Sequence, residues 1–268
     1  MPIRHLLCET TGRLPPLAKT MRENPLSRQE ATCLRNESSR KALALLVLLP
    51  FLVGPEARAD IRRPIHFKSA DGTDLSGTFY DSRAVGPAAL FLLDCEGQAP
   101  ELVNLAGKIT AAGPRVLLWD YRKDGNPKAS LEKATEDANA AWQWLTHQAR
   151  VGTDVIGIVA IGCGARIAIP FAAKTGKVKV MVLISPDLEG VTDEQVAAVA
   201  NVALQIYANG DETGAQRLFA ANHNDKTQLK LYRRTEKAMS LYRADRWLRD
   251  GIDTYFQNVY GAFSADDF

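Results

Sequence analysis

The chain has 268 residues, of which 46% are hydrophobic and 24% charged, and its formal net charge is +2. That length and apolar content suffice for one packed domain and do not demand a second. The near-neutral balance, with Arg233-Arg234 as its small basic cluster, gives no face for nucleic acid.

The N-terminal part differs in kind from the rest. Ser39-Arg40-Lys41 precedes the apolar run ALALLVLLPFLVG at residues 42–54, and Ala57-Arg58-Ala59 follows. A basic flank, a short apolar core and an A-x-A site predict a secretory signal peptide. The run holds Pro50 and is short for a spanning helix, which needs about 20 residues. An uncleaved membrane anchor is the other reading, and a membrane would then be touched only through this leader. We therefore divide the chain into a leader, residues 1–59, and a single domain, residues 60–268. Export to the periplasm or the exterior is the expectation. The leader carries nine of the 33 basic and five of the 31 acidic residues, so the remainder is slightly acidic. Cys8 and Cys33 leave with it, while Cys95 and Cys163 stay. No spacing of Cys, His and carboxylates predicts a metal site, and no cofactor is expected.

Along the remaining chain, residues 62–67 and 73–80 flank Asp71-Gly72, a tight-turn pair, and predict a β-hairpin. Residues 88–93, AALFLL, read as a strand buried on both faces. A helix over 101–112 stops at Gly113-Pro114, and 115–119 is the next buried strand. Asp120 and Arg122 in the following loop are expected to pair and anchor it. Ser130 caps a helix running to about Gln148, with Ala134, Ala138, Ala141, Trp142 and Leu145 on one face. Trp142 and Trp144 are two apart and face different ways, so at most one is core. Strands over 155–161, 179–184, 202–207 and 228–232 alternate with helices from 165 and over 193–199, 214–222 and 245–259. Tyr232, Tyr242, Trp247, Tyr255 and Phe256 are expected to dock the last helix on the sheet. The alternation predicts an α/β fold with a mostly parallel sheet covered on both faces.

Residues 155–169, VIGIVAIGCGARIAI, combine a buried strand, a glycine turn and an immediate helix. With the segments around it, this order resembles the α/β-hydrolase fold over nearly the whole domain. HFKSADGTDLSGTFY resembles the family's opening DG-x-x-L-x-G pair. LFLLDCEG, with Asp94 and Cys95, stands at the oxyanion loop. LLWDYRKDGNP resembles the D-x-R-G-x-G-x-S loop, and GIVAIGCGARIAI the nucleophile elbow. LISPD matches the next strand, IYANGDE the strand end that supplies the acid, and LYRRTEKAMSLYRAD the segment of the histidine. The resemblance implies serine-esterase or dienelactone-hydrolase-like ancestry.

Residue by residue, the match leaves a degenerate triad. The acid is present as Asp211, the serine position holds Gly162, and the histidine position falls at or next to Lys237. Glycine offers no nucleophile, and an ammonium is no base unless its pKa falls far. His66 and His147 are expected to be surface or packing residues, and His223 follows the acid-bearing strand by a helix. A shift of one residue puts Cys163 at the elbow tip, in the G-x-C-x-G manner of dienelactone-hydrolase-like members, but then Ile161 fills a position that needs a small residue. In this fold the strand ends bearing Cys95 and Cys163 lie side by side. The resemblance thus brings the two within reach of a disulfide, with two buried thiols as the alternative. The reading is a non-catalytic protein that binds a small molecule, an envelope component or a protein at the old active-site rim. The alternative is an ester or dienelactone-type hydrolase using Cys163, with Asp211 and a displaced His223 or Lys237. A redox-responsive role for the cysteine pair is a third.

Overall fold

A computed structural model of the chain describes residues 61–82, 86–122, 124, 128, 130–149, 151–210 and 212–260. The chain divides into residues 1–56 and 57–268, and every described residue lies in the second unit. The leader and Asp211 lie outside the described residues.

Among the described residues, eight strands form one sheet in the order β1-β2-β4-β3-β5-β6-β7-β8. β1 (Ile61–Lys68) and β2 (Asp74–Asp81) make the antiparallel hairpin around Asp71-Gly72, and β2 also pairs antiparallel with β4 (Arg115–Trp119). From β4 outward the pairs are parallel, through β3 (Gly86–Leu92), β5 (Val151–Ile161), β6 (Val178–Ile184), β7 (Ala203–Asn209) and β8 (Gln228–Tyr232). Every residue of β3, β4 and β7 is buried. This explains why these strands are mostly apolar with no polar alternation, Arg115, Gln205 and Asn209 being their buried polar residues.

The strand period of two splits the core into two layers. Ala88, Leu90 and Leu92 of β3 join Ile158 and Ala160 of β5 under α2 (Leu131–Thr146), α3 (Ala165–Thr175), α4 (Asp193–Ala198) and α5 (Thr213–Ala221). Ala89, Phe91, Val159 and Ile161 face the other way, under α1 (Pro100–Ala111), α6 (Ala238–Ala244) and α7 (Arg246–Tyr260). Each fully buried Leu, Ile or Phe contributes about 1.5–3 kcal/mol relative to exposure. Helices therefore cover both faces, as the sequence predicts. The hydroxyl of Ser130 accepts the Lys133 N–H and caps α2. Helix α6 is absent from the sequence reading: seven residues are too few for a clear apolar period.

Two side-chain expectations need correction. Trp247 does not dock α7; it is 81% exposed, and Leu248, Ile252, Tyr255 and Phe256 form the buried face instead. On the helical wheel Trp247 falls outside that stripe, which an aromatic count cannot reveal. Arg122 does not pair with Asp120. Its guanidinium binds Asp137 on α2 together with Asp71 and Thr73 of the hairpin turn. Asp137 is fully buried and needs the charge partner, whereas Asp120 is exposed. Of the two tryptophans, Trp142 is buried beside Phe171 and Trp144 is half-buried against Phe67 and Phe79.

Candidate functional site

The parallel strands point their C-terminal ends at one rim, the usual place for a site in an open α/β sheet. β5 ends there at Ile161, turns through a single 3-10 turn, Gly162–Gly164, and enters α3 at once. Gly162 takes the left-handed conformation, φ 53°, that a residue with a Cβ adopts only at a cost. At Gly164 the turn presses on the neighbouring strand end: a Cβ there would lie 2.2 Å from the Leu92 carbonyl oxygen. These two positions account for the glycines of GCG. In this geometry the turn's tip is Gly162, and Cys163 follows it.

Cys163 is not a free thiol. It forms a disulfide with Cys95, with Cα atoms 5.8 Å apart and a sequence separation of 68. β3 and β5 are direct neighbours, so the residues just past their ends meet across the rim. Asp94 precedes Cys95, and its Oδ1 accepts the backbone N–H of Cys95 at 2.8 Å and of Cys163 at 3.3 Å. A Cβ on Gly162 would meet that same oxygen at 2.4 Å. Asp94 thus fills the space beside the turn and takes up the N–H groups there. Burial pushes its carboxyl above the usual carboxylate range. The two N–H groups oppose that shift, while Glu96 and Asp187 add to it. The Tyr121 hydroxyl donates to the Leu93 carbonyl at 3.2 Å, and its pKa is pushed up by burial and by the Asp94 charge.

A cavity of about 780 Å³ opens at this rim, lined by Asp94, Gly162, the disulfide, Ser185 and Glu212 among others. Ser185 follows β6 directly, with φ 48°, and is 6% exposed. Glu212 opens α5 and is 8% exposed. Neither carboxylate oxygen of Glu212 has a hydrogen-bond partner of good geometry among the described residues. Burial raises its pKa, and the nearby Ser185 hydroxyl and Lys237 charge partly offset that. Lys237 lies exposed at the same rim, before α6. Arg166 closes one side of the cavity, held by Asp187 through its Nε at 2.8 Å and by Glu189 at 2.5 Å.

The residues singled out in the sequence thus fall into two groups. Asp94, Cys95, Gly162, Cys163 and Lys237 come together at one cavity. The three described histidines do not join them. His66 is exposed on β1, His147 follows α2, and His223 sends its N–H to the Ala200 carbonyl, ahead of β7 and away from the rim. Sequence reasoning missed Ser185 and Glu212. Ser185-Pro186 at a strand end and Glu212 beside Asp211 were the available signals. Asp94, Cys95 and Cys163 also form a cluster whose ligand atoms lie within 4.8 Å of one another. With both sulfurs bonded, the two cysteines are not thiolate ligands and the set does not fit a metal.

No protein-family model matches the sequence. Two curated proteins of Mycobacterium tuberculosis (strains CDC 1551 / Oshkosh and ATCC 25618 / H37Rv), both uncharacterized, are 32% identical to it over 116 residues. That stretch is 42% of this chain, and the chain spans 41% of the length of those relatives. Among solved structures, dienelactone hydrolase from Anabaena variabilis is similar with a TM-score of 0.60 at 13% identity, covering 76% of this chain and 98% of that one. An esterase from Pyrococcus furiosus has a TM-score of 0.57 at 14% identity, over 76% of this chain and 95% of that one. An alpha/beta hydrolase from Penicillium has a TM-score of 0.59 at 12% identity, over 75% and 99%. At such identities the likeness is one of fold. Strand order, the turn after β5 and these neighbours agree: the chain has the α/β-hydrolase fold.

Proposed function

We propose that this is an exported α/β-hydrolase-like protein with a degenerate triad, which binds a small molecule, an envelope component or a protein at its rim and does not hydrolyse esters. The observation that carries the reading is the Asp94 carboxylate on the N–H of Cys163. Ester hydrolysis needs that N–H for a developing oxyanion, and a carboxylate already seated there opposes a second negative charge. Gly162 has no nucleophile, the Cys163 sulfur is bonded to Cys95, and no histidine among the described residues lines the cavity. Export rests on the leader sequence, and a bonded cysteine pair suits an oxidising compartment.

Hydrolysis of a short-chain aryl ester by purified protein, oxidised and reduced, tests the reading. No turnover above background in either state is expected. Turnover by the reduced protein that Cys163→Ala abolishes would overturn it and make the protein a thiol hydrolase.

A further inference from the structure

The two halves of the disulfide are unequally placed. Cys163 is 5% exposed, inside the turn that runs into α3, while Cys95 is half-buried on the loop after β3. Both line the cavity, so the bond forms part of a wall open to small solutes. A carboxylate oxygen of Asp94 and the two sulfurs all lie within 4.8 Å of one another. A bond that served only as a staple would need neither access nor an acid at its side.

We propose that Cys95 and Cys163 form a thiol–disulfide exchange site whose substrate is a low-molecular-weight thiol admitted to the cavity. The substrate thiolate attacks Cys95 Sγ, on the more exposed residue of the pair. A bond forms between the substrate sulfur and Cys95, the Cys95–Cys163 bond breaks, and its electron pair passes to Cys163 Sγ. The Cys163 thiolate is left in the turn ahead of α3, at the positive end of that helix's macrodipole. A second substrate thiolate then attacks the substrate sulfur of the mixed disulfide. It releases the substrate as its own disulfide and leaves Cys95 as a thiolate. Two electrons pass from two thiols to the protein, and the two thiol protons end on Cys95 and Cys163. Asp94, whose proton affinity is raised by burial, stands within 4.8 Å of both sulfurs and can hold a proton between steps through one intervening water. This goes beyond binding: the rim carries a reactive group of its own.

The test uses the full chain under native conditions. Dithiothreitol is added, samples are quenched with iodoacetamide, and alkylation of Cys95 and Cys163 is mapped by peptide mass. The expected result is reduction at a rate first order in dithiothreitol and unaffected by denaturant well below the unfolding midpoint. A rate independent of thiol concentration and equal to the unfolding rate, or no reduction before unfolding, would overturn the proposal. Glutathione disulfide supplies the second readout, with circular dichroism to confirm folding. Cys163→Ser should gain one glutathione on Cys95, at least about tenfold faster than Cys95→Ser gains one on Cys163. The reverse order would overturn Cys95 as the entry sulfur. Ester turnover is read separately, so failure of the binding reading and failure of this one are distinguishable.

Discussion

Asp94 occupies the space that a side chain on Gly162 would need. A Cβ at Gly162 falls 2.4 Å from Asp94 Oδ1, and that oxygen is already engaged by the N–H groups of Cys95 and Cys163. The two residues are therefore coupled, and neither can be judged alone.

Gly162→Ser should destabilise by about 1–3 kcal/mol, through its left-handed φ and the clash with Asp94. Asp94→Ala in the same chain should recover part of this, with a coupling of about 0.5–3 kcal/mol. Urea unfolding of the four proteins in a double-mutant cycle gives the number. Strict additivity would show that the two side chains do not compete.

Asp94 and Glu212 both titrate above their ordinary values because burial penalises their charge. The folded state therefore holds their protons more tightly than the unfolded chain. The stability this contributes is full below the unfolded carboxyl pKa and is lost as pH rises through the higher folded pKa. Asp94→Asn keeps an acceptor for both N–H groups and removes the titration. Its melting temperature relative to wild type should rise between pH 3 and pH 8; a constant difference would mean that Asp94 is not shifted.

Removing the disulfide should lower stability by up to about 4 kcal/mol, the chain-entropy value for a loop of this length. Cys95→Ala with Cys163→Ala, unfolded in urea beside the oxidised wild type, measures it. Equal midpoints would show that the reduced, unfolded chain is already confined near this geometry.

Arg122 joins the hairpin turn to α2, and its partner Asp137 is fully buried. Asp137→Ala leaves the half-buried Arg122 without its main partner and should cost up to about 3–5 kcal/mol. Asp71→Ala, at the exposed end of the same network, should cost clearly less. Equal losses would place the energy in the turn and not in the buried pair.

The fold was legible because the central strands are buried on both faces and therefore written as unbroken apolar runs. ALFL at β3 and VLLW at β4 leave no other reading, and the glycines of GCG mark the turn by steric necessity. The antiparallel hairpin was equally plain from Asp71-Gly72. Less of the rim could be read. Arg122 has three side-chain partners, 51, 49 and 15 residues away, and no local pattern names them. Ser185 and Glu212 matter through burial, which depends on α5 and α6 folding over the ends of β6 and β7. Trp247 was misplaced because its helical register decides its face, and its chemistry does not. The seating of Asp94 on two N–H groups is set by side-chain geometry that no spacing encodes.

The span enclosed between Cys95 and Cys163 contains α1, β4, α2 and β5, and β4 lies on the far side of β3 from β5. A chain oxidised while still unfolded would have to bring β4 into its slot between β2 and β3 as part of a closed ring. A chain that builds the sheet first presents the two sulfurs already adjacent. The strand order thus makes the timing of oxidation during biogenesis part of how the molecule reaches its final form.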